Sequence, residues 1–142
     1  MINFEALIGQ TISQAPSATA NWLGFTLEHI EKGAASIRLE IREEMTNPYK
    51  NLHGGMMACI IDECIGWAVL SLESEQNYTT LNLNVDFLYA IAKGQYLTAH
   101  SKVIRAGKKI INVSCEVYDD AHQLLATASS NLVQTSMKFK TS

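Results

Sequence analysis

The sequence has no excess of positive charge and no apolar run long enough to cross a membrane. It contains 11 Lys and Arg against 14 Asp and Glu, a formal net charge of −3 over 142 residues. Nucleic-acid-binding domains usually present a basic face, so no nucleic-acid partner is expected. No apolar run approaches the ~20 residues of a membrane helix, and the N-terminus lacks the basic start of a signal peptide. We therefore expect a cytoplasmic protein with no membrane partner.

The sequence is also poor in cysteine. Its three cysteines, Cys59, Cys64 and Cys115, are odd in number and lie among apolar residues. This pattern is typical of buried free thiols in a reducing cytoplasm. The cysteines lack the spacing of a zinc site and no His or Cys cluster accompanies them, so no metal site is expected.

Alternation of apolar and polar residues predicts six strands, because neighbouring side chains of a strand point to opposite faces. Connectors of hairpin length with turn residues imply antiparallel neighbours. Helical spacing of apolar residues near the N-terminus predicts a short amphipathic helix. The predicted elements are a helix over residues 4–12, a loop over 15–22, and strands over 25–30, 35–43, 78–89, 95–104, 109–118 and 123–134.

The segment from residue 54 to about residue 72 has no polar face. A helix that is apolar on every side is a buried helix. An antiparallel sheet of about six strands, curled around this helix, would bury it. We therefore predict an α+β fold that forms a single domain over residues 1–142.

A polar loop that includes Asn47 ends in His53-Gly54-Gly55, directly before this helix. The first N–H groups of a helix have no intrahelical partner, so they and the helix dipole attract an oxygen that carries negative charge. The commoner use of adjacent glycines is a tight turn or a close packing contact. Because His53 precedes them and carboxylates follow, we favour an anion-stabilising role for the Gly54 amide.

Asp62 and Glu63 are the only charges inside the predicted helix. Carboxylates in an apolar segment are costly, so they pair with a cation, reach the rim, or have a functional reason to be there. Small residues share the helical stripe of Asp62 and leave room for a ligand. Glu63 lies next to Trp67, where it would reach solvent or form an ion pair. We favour Asp62 for chemistry.

The helix itself separates the two candidate groups. Asp62 lies nine residues beyond His53, about 13 Å along the axis and on roughly the opposite face at ~100° per residue. One chain can therefore hardly bring both groups to the same atom. If both act on one substrate, the second must come from another subunit, which predicts a symmetric dimer with two shared sites.

The pattern Asn47-x5-His53-Gly54-Gly55-x6-Asp62 resembles the signature of hotdog-fold acyl-CoA thioesterases, specifically the phenylacetyl-CoA (PaaI-type) branch. The resemblance extends from about residue 22 to residue 135. It implies an antiparallel sheet wrapped around one long helix, with active sites across a homodimer interface, often within a homotetramer. It also implies hydrolysis of an acyl-CoA thioester without a cofactor, since CoA is part of the substrate.

The same resemblance assigns roles to individual residues. The Gly54 N–H would polarise the thioester carbonyl, and Asp62 of the partner subunit would act as general base or as nucleophile. Asn47 and His53 would position the thioester or water. Thr80 corresponds to a hydroxyl that orients the water or the carboxylate, although an ordinary strand threonine is the alternative.

CoA requires cations for its phosphates. Arg105, Lys108 and Lys109 are the candidates, with Lys93 as a lesser one, because Arg and Lys both bind phosphate. A solvated turn is the alternative for each. The acyl chain is expected along the central helix, where Met56, Met57 and Trp67 are placed to shape an adaptable pocket.

Two other functions compete with hydrolysis. A hotdog module that binds acyl-CoA without hydrolysing it would not need both Asp62 and the His53-Gly54-Gly55 turn. A hotdog hydratase or dehydratase places its catalytic His and acid in different local motifs, which this sequence lacks. Both alternatives are therefore ranked below the thioesterase.

Overall fold

The computed structural model describes residues 2–140. Six strands and three α-helices follow one another in the predicted order of strands and central helix, with a short 3-10 helix at Glu43–Met45. The helices are α1 (Phe4–Leu7), α2 (Ala18–Leu23) and α3 (Gly54–Leu70); the strands are β1 (Thr26–Glu31), β2 (Ala34–Glu40), β3 (Asn77–Phe87), β4 (Tyr96–Ala106), β5 (Ile110–Asp119) and β6 (Leu124–Thr135).

One antiparallel sheet contains all six strands in the order β1-β2-β4-β5-β6-β3. Alternate strand residues point inward, and these residues are apolar, as Ala35, Ile37 and Leu39 of β2 show. The inner face of the sheet is therefore apolar. The register shifts once in four of the five strand pairs. Such bulges bend and twist strands, and they curl the sheet around α3. The predicted sheet wrapped around one long helix, the hotdog architecture, is confirmed.

The helix α3 is buried on one side only. Ile60, Ile61 and Cys64 are fully buried against the sheet, and the Trp67 and Phe25 rings pack at right angles with ring centroids 6.2 Å apart. The opposite side, which includes Gly66, is partly open to solvent. The prediction of a helix buried on every side is therefore wrong for this face, and the two carboxylates of α3 lie there half-buried.

The N-terminal region differs from the prediction in two ways. The first helix ends at Leu7, and Thr11 instead forms a β-bridge with Thr26. The predicted loop over residues 15–22 contains α2. Ser17 caps its start by accepting a hydrogen bond from the Ala20 N–H, and Gly24 ends it in the left-handed conformation at φ 64°. These are strong local helix signals that the apolar spacing of so short a segment does not reveal.

The strand boundaries shift by one to three residues from the prediction. The largest difference is at β2, which ends at Glu40 rather than at residue 43. Ile41 still bonds through its N–H to the Gln95 carbonyl oxygen, but the chain then turns into the 3-10 helix. The three cysteines are free; Cys64 and Cys115 are buried and Cys59 is half-buried. Among residues 2–140, no helix is long and apolar enough to cross a membrane.

The two edges of the sheet are unlike each other. The β1 edge is covered, since the Gly9 and Ile12 N–H groups bond to carbonyl oxygens of Leu27 and Phe25. The β3 edge pairs with β6 on one side only. Its 11 residues include no Lys or Pro and a single charge, Asp86. Proteins usually protect a long edge strand with such residues, and β3 has little of this protection.

Candidate functional site

The start of α3 is organised by His53. Its Nδ1 accepts a hydrogen bond from the Gly55 N–H at 2.9 Å, so the side chain caps the helix. A neutral ring that accepts at Nδ1 carries its proton on Nε2. The His53 N–H in turn bonds to the Met45 carbonyl oxygen at 2.9 Å. His53 therefore fixes the position of the two glycines and presents one further donor, Nε2.

The Gly54 N–H remains available at this helix start. Between residues 2 and 140 it has no hydrogen-bond acceptor. Gly54 lines an open cavity of about 280 Å³ together with Met57 and Phe87. Leu52 and residues 88–91 complete the lining. An N–H of the first helical turn beside an open cavity is placed to bind a ligand oxygen.

Asn47 organises the loop that precedes the helix. Its Oδ1 accepts hydrogen bonds from the Tyr49 N–H at 3.0 Å and the Asn51 N–H at 3.2 Å. The Asn47 N–H also bonds to the Asn51 carbonyl oxygen at 2.8 Å. The side-chain oxygen is thus used by the loop, and only the Nδ2 amide is left to reach a ligand. Part of the role of Asn47 is structural.

Glu43 holds two lysines against this loop. Lys50 Nζ lies 2.5 Å from Glu43 Oε1, and Lys93 Nζ lies 2.8 Å from Oε2. Both ammonium groups bond the carboxylate, and they lower the pKa of Glu43 to about 2. Lys93, the lesser candidate for CoA phosphates, is therefore already paired. The Leu52 N–H bonds to the Ile91 carbonyl oxygen at 2.8 Å, which closes the loop against residues 88–91.

Asp62 lies on the open side of α3, next to β3. Thr80 Oγ1 donates a hydrogen bond to Asp62 Oδ1 at 2.9 Å. Asp62 is half-buried, and Thr80 is exposed at the sheet edge. The structure therefore brings together the predicted carboxylate and the predicted hydroxyl. The bond holds one oxygen of Asp62 and leaves Oδ2 without a donor from the described chain.

Gly54 and Asp62 are separate within one chain. They are eight residues apart on α3, about 12 Å along the axis. A Cβ on Gly54 would lie 3.6 Å from the Phe87 ring, whereas Asp62 bonds to Thr80. These two contacts are seven residues apart on β3, about 23 Å at 3.3 Å per residue. Both Gly54 and Asp62 face β3, so the prediction of opposite faces, which concerned His53 and Asp62, does not extend to Gly54.

Glu63 occupies a different environment from Asp62. Its Oε1 accepts a hydrogen bond from Ser17 Oγ at 2.7 Å, and it forms no ion pair with any of residues 2–140. Burial raises the pKa of Glu63, the Ser17 hydrogen bond opposes this rise, and the Asp62 charge adds to it. Sequence reasoning missed Ser17 because it lies 46 residues away and caps a helix that was not predicted.

Arg105, Lys108 and Lys109 lie at the turn between β4 and β5. All three are exposed, and none forms an ion pair within the described part of the chain. Tyr78 at the start of β3 donates through its hydroxyl to the Lys108 carbonyl oxygen at 3.0 Å. The turn thus lies near the Thr80 end of β3 and away from Gly54.

Comparison with known proteins identifies the family. Residues 49–126 match the model of the thioesterase superfamily, and this match covers more than half of the chain. The chain belongs to the thioesterase superfamily. The predicted enzyme class, a thioester hydrolase, is confirmed at this level. The matched residues include His53, Gly54, Asp62, Thr80 and the β4–β5 turn.

Individual relatives agree with this family. A candidate esterase of Saccharolobus solfataricus is 30% identical over 108 residues, which cover 76% of this chain and 71% of that protein. The 1,4-dihydroxy-2-naphthoyl-CoA hydrolase of Listeria monocytogenes is 29% identical over 105 residues, covering 72% of this chain and 84% of its own. The fold of the thioesterase is similar to that of E. coli PaaI, with a TM-score of 0.80 at 21% identity over 87% of this chain and 88% of PaaI.

A thioesterase protein of Streptococcus pneumoniae solved with coenzyme A also has this fold. Its TM-score is 0.75 at 20% identity, over 78% of this chain and 85% of that one. The resemblance to hotdog thioesterases found in the sequence is thus confirmed for family and fold. The roles of the individual site residues stay predictions.

Proposed function

We propose that this thioesterase hydrolyses acyl-CoA thioesters to a free acid and CoA, in a site that two subunits share. The observation that carries the proposal is the 2.9 Å hydrogen bond from Thr80 to Asp62, on the same helix that begins with a Gly54 N–H free among residues 2–140. The Listeria relative acts on an acyl-CoA, and the pneumococcal neighbour was solved with coenzyme A. Both support CoA thioesters as the substrate class.

The Gly54 N–H receives the thioester carbonyl oxygen. Negative charge develops on this oxygen when a nucleophile attacks, and an N–H at a helix start stabilises it. The Asn47 Nδ2 amide and His53 Nε2 are the other donors near the helix start, and they position the thioester or the water. The donors are held in place before substrate arrives, since His53 and Asn47 are already fixed by backbone bonds.

Asp62 supplies the second half of the reaction. Thr80 holds Oδ1, so Oδ2 is left to take a proton from water, which then attacks the carbonyl carbon. Attack by Oδ2 itself would give a mixed anhydride that water hydrolyses in a second step. In either route the thiolate of CoA leaves with a proton and the acid is released. No cofactor takes part in either route.

The bare edge of β3 supports the shared site. Exposed apolar side chains at this edge, with Leu81 60% and Phe87 57% accessible, favour a second copy of the chain as the partner. Two β3 strands that pair antiparallel about a twofold axis continue the sheet and reverse direction. The Thr80 end of one strand then faces the Phe87 end of the other. Asp62 of each subunit therefore approaches Gly54 of its partner.

CoA phosphates bind at Arg105, Lys108 and Lys109 in this proposal. These cations lie at the Thr80 end of β3, on the same subunit as the Asp62 that acts. Guanidinium and ammonium groups without local anions are suited to phosphate. A homotetramer built from two such dimers and a cytoplasmic location stay predictions.

The proposal is tested by thiol release from aromatic, short-chain and long-chain acyl-CoAs. Asp62→Asn keeps the size of the side chain and its bond to Thr80 but removes the base. We expect at least about a hundredfold loss of kcat, with an unchanged melting temperature. Glu75→Gln, an exposed change beyond α3, is the matched control and keeps full activity. Full activity in Asp62→Asn would remove Asp62 from the mechanism. Tight acyl-CoA binding without any thiol release by the wild type would indicate a binding module instead.

A further inference from the structure

The strand β3 contains a β-bulge directly after Thr80. Residues 77–80 and residues 82–87 pair with β6 in two registers that differ by one residue, so Leu81 is an extra residue that opposes none of β6. Its side chain is 60% exposed. Bulges are frequent beside active sites, where they re-aim a side chain or end the pairing of two strands. We refer to this feature as the Leu81 bulge.

The Leu81 bulge changes which residues of β3 face the central helix. After the bulge, Leu83 and Val85 pack against the core, so odd-numbered residues face inward. Before it, the even-numbered Thr80 faces α3, because its hydroxyl bonds to Asp62. Neighbouring residues of a regular strand alternate between the two faces. A regular strand of the same sequence would therefore turn Thr80 outward and place Leu81 against α3.

Two side chains hold the bulge in place. Asn82, the residue after Leu81, accepts hydrogen bonds at Oδ1 from the Asn131 N–H at 3.0 Å and from Asn131 Nδ2 at 3.3 Å. Asn112 Nδ2 fixes the Asn131 amide by donating to its Oδ1 at 2.9 Å. Ser130 is fully buried, and its hydroxyl donates to the Asn82 carbonyl oxygen at 2.8 Å. The side chains of Asn82 and Ser130 thus satisfy main-chain groups at the point where the strand ladder is interrupted.

The alternative to the bulge is a one-residue slip of residues 77–81, which would turn each of their side chains to the other face. The slip would bury Leu81, and it would let the Asn82 carbonyl oxygen and the Asn131 N–H bond to each other, as opposite residues of a regular ladder do. In the bulged register these main-chain groups bond to side chains instead. The stability of that register relative to the slip therefore depends on Asn82 Oδ1 and the Ser130 hydroxyl.

We propose that Asn82 and Ser130 are positioning residues, which hold the Leu81 bulge and so keep the Thr80 hydroxyl against Asp62. This role rests on the proposed function, in which Thr80 orients the Asp62 carboxylate. In the slipped register Leu81 would lie next to Asp62, and the carboxylate would lose the donor that holds Oδ1. The N–H at the start of α3 would stay unchanged. Loss of the bulge should therefore slow the chemical step more than it weakens substrate binding.

The first test is the rate of thiol release from the acyl-CoA that the wild type hydrolyses fastest. Asn82→Ala and Ser130→Ala should each lower kcat at least about tenfold, as expected when a carboxylate loses a hydrogen bond, and leave KM unchanged. Asn82→Asp keeps an acceptor oxygen and should retain most of the wild-type kcat. Ser129→Ala is the matched control and keeps full activity, because this exposed side chain of β6 forms no hydrogen bond in the described part of the chain.

A double-mutant cycle separates positioning from a general loss of structure. Thr80→Val removes the hydroxyl itself. The variant with both Thr80→Val and Asn82→Ala should be no slower than Thr80→Val alone, because the two changes remove the same contact. Circular dichroism checks that each variant is folded. Losses that multiply would show that Asn82 does not act through Thr80 and would overturn the proposal. Full activity in both Asn82→Ala and Ser130→Ala would overturn it as well.

The register is also measured without turnover, by nuclear Overhauser contacts of the Leu81 methyl groups in methyl-labelled protein. These groups should gain contacts with side chains of α3 in Asn82→Ala and in Ser130→Ala. If they do so while the wild type hydrolyses no acyl-CoA, the proposed function fails, and the role of the two residues in holding Thr80 against Asp62 stands. If thioesters are hydrolysed and Leu81 keeps its wild-type contacts in both variants, only the positioning role fails.

Discussion

At the scale of single residues, the proposed site depends on one backbone N–H more than on any side chain. Gly54 begins α3, and the preceding His53 has φ −63° and ψ 137°. This is the conformation that a residue before proline prefers, and proline is well tolerated at the first helical position. Replacement of Gly54 by proline thus removes the N–H and keeps the helix.

Gly54→Pro should therefore lower kcat by about 10²–10³-fold, the loss that follows removal of one oxyanion donor. Gly54→Ala is the matched control, because it keeps the N–H and its Cβ meets the Phe87 ring at an ordinary 3.6 Å. Thiol release and circular dichroism check both variants. Equal activity of the two would show that the Gly54 N–H does not bind the carbonyl oxygen.

Glu63 gives a prediction about stability and pH. Its folded-state pKa is raised above the ordinary 4.5, so the folded state retains a proton that the unfolded state releases. The free energy of unfolding therefore falls as pH rises from 4.5 through the raised pKa, and Glu63→Gln escapes this loss. The free energy of unfolding of Glu63→Gln, relative to that of the wild type, should therefore be higher at pH 7 than at pH 4. Urea unfolding at both pH values measures the gain, and an equal difference at the two would contradict it.

How far the site residues could be predicted differs between them. The places of Asp62 within α3 and of Gly54 at its start were predictable, because a carboxylate in an apolar helix and a glycine at its start are local signals; their catalytic roles stay predictions. The partner of Asp62, Thr80, required the family resemblance, since a strand threonine has no distinctive pattern. Ser17 beside Glu63 could not be predicted, because nothing local indicates a contact across 46 residues.

At the scale of elements, the burial predicted from the sequence and the burial in the structure differ most on the side of α3 that faces away from the sheet. Apolar residues on every side predict full burial, yet the side with Gly66 is partly open. Such a helix is consistent with an apolar ligand or a second helix on its open side. The strands and α3 were predictable because their apolar patterns are regular over long segments. The four-residue α1 and the six-residue α2 depend on caps and tertiary contacts instead.

Gly66 allows this side of α3 to be tested. Gly66→Ala should raise the free energy of unfolding by about 0.5–1 kcal/mol, because alanine is the better helix former and its Cβ meets no atom within 4 Å. Gly66→Leu should retain turnover of acetyl-CoA and lose turnover of aromatic acyl-CoAs, since its side chain would occupy the open side of α3 one turn after Asp62. Equal losses for both substrates would contradict an acyl site on this side of α3.

At the scale of the whole molecule, the central question is whether a site belongs to one chain or to two. Gly54 and Asp62 lie about 12 Å apart along α3. Inactive Gly54→Pro and Asp62→Asn chains should therefore restore activity when mixed, because a mixed dimer contains one site with both groups intact. Random exchange gives about a quarter of wild-type activity.

The mixed dimers are confirmed by native mass spectrometry of differently tagged chains, so that failed exchange is not mistaken for failed complementation. Mixing each inactive chain with itself is the control and should restore nothing. Mixed dimers without activity would assign each site to a single chain, and the shared site would have to be abandoned.

The bare edge of β3 has a consequence for how the enzyme responds to its own abundance. If two chains must meet before either site is complete, dilution dissociates the dimer and inactivates the enzyme without unfolding the chains. Where dimers are scarce, their number rises with the square of the chain concentration. A cell that halves its supply of this chain would then lose more than half of the activity. The sheet edge would in this way set a threshold of expression for the reaction.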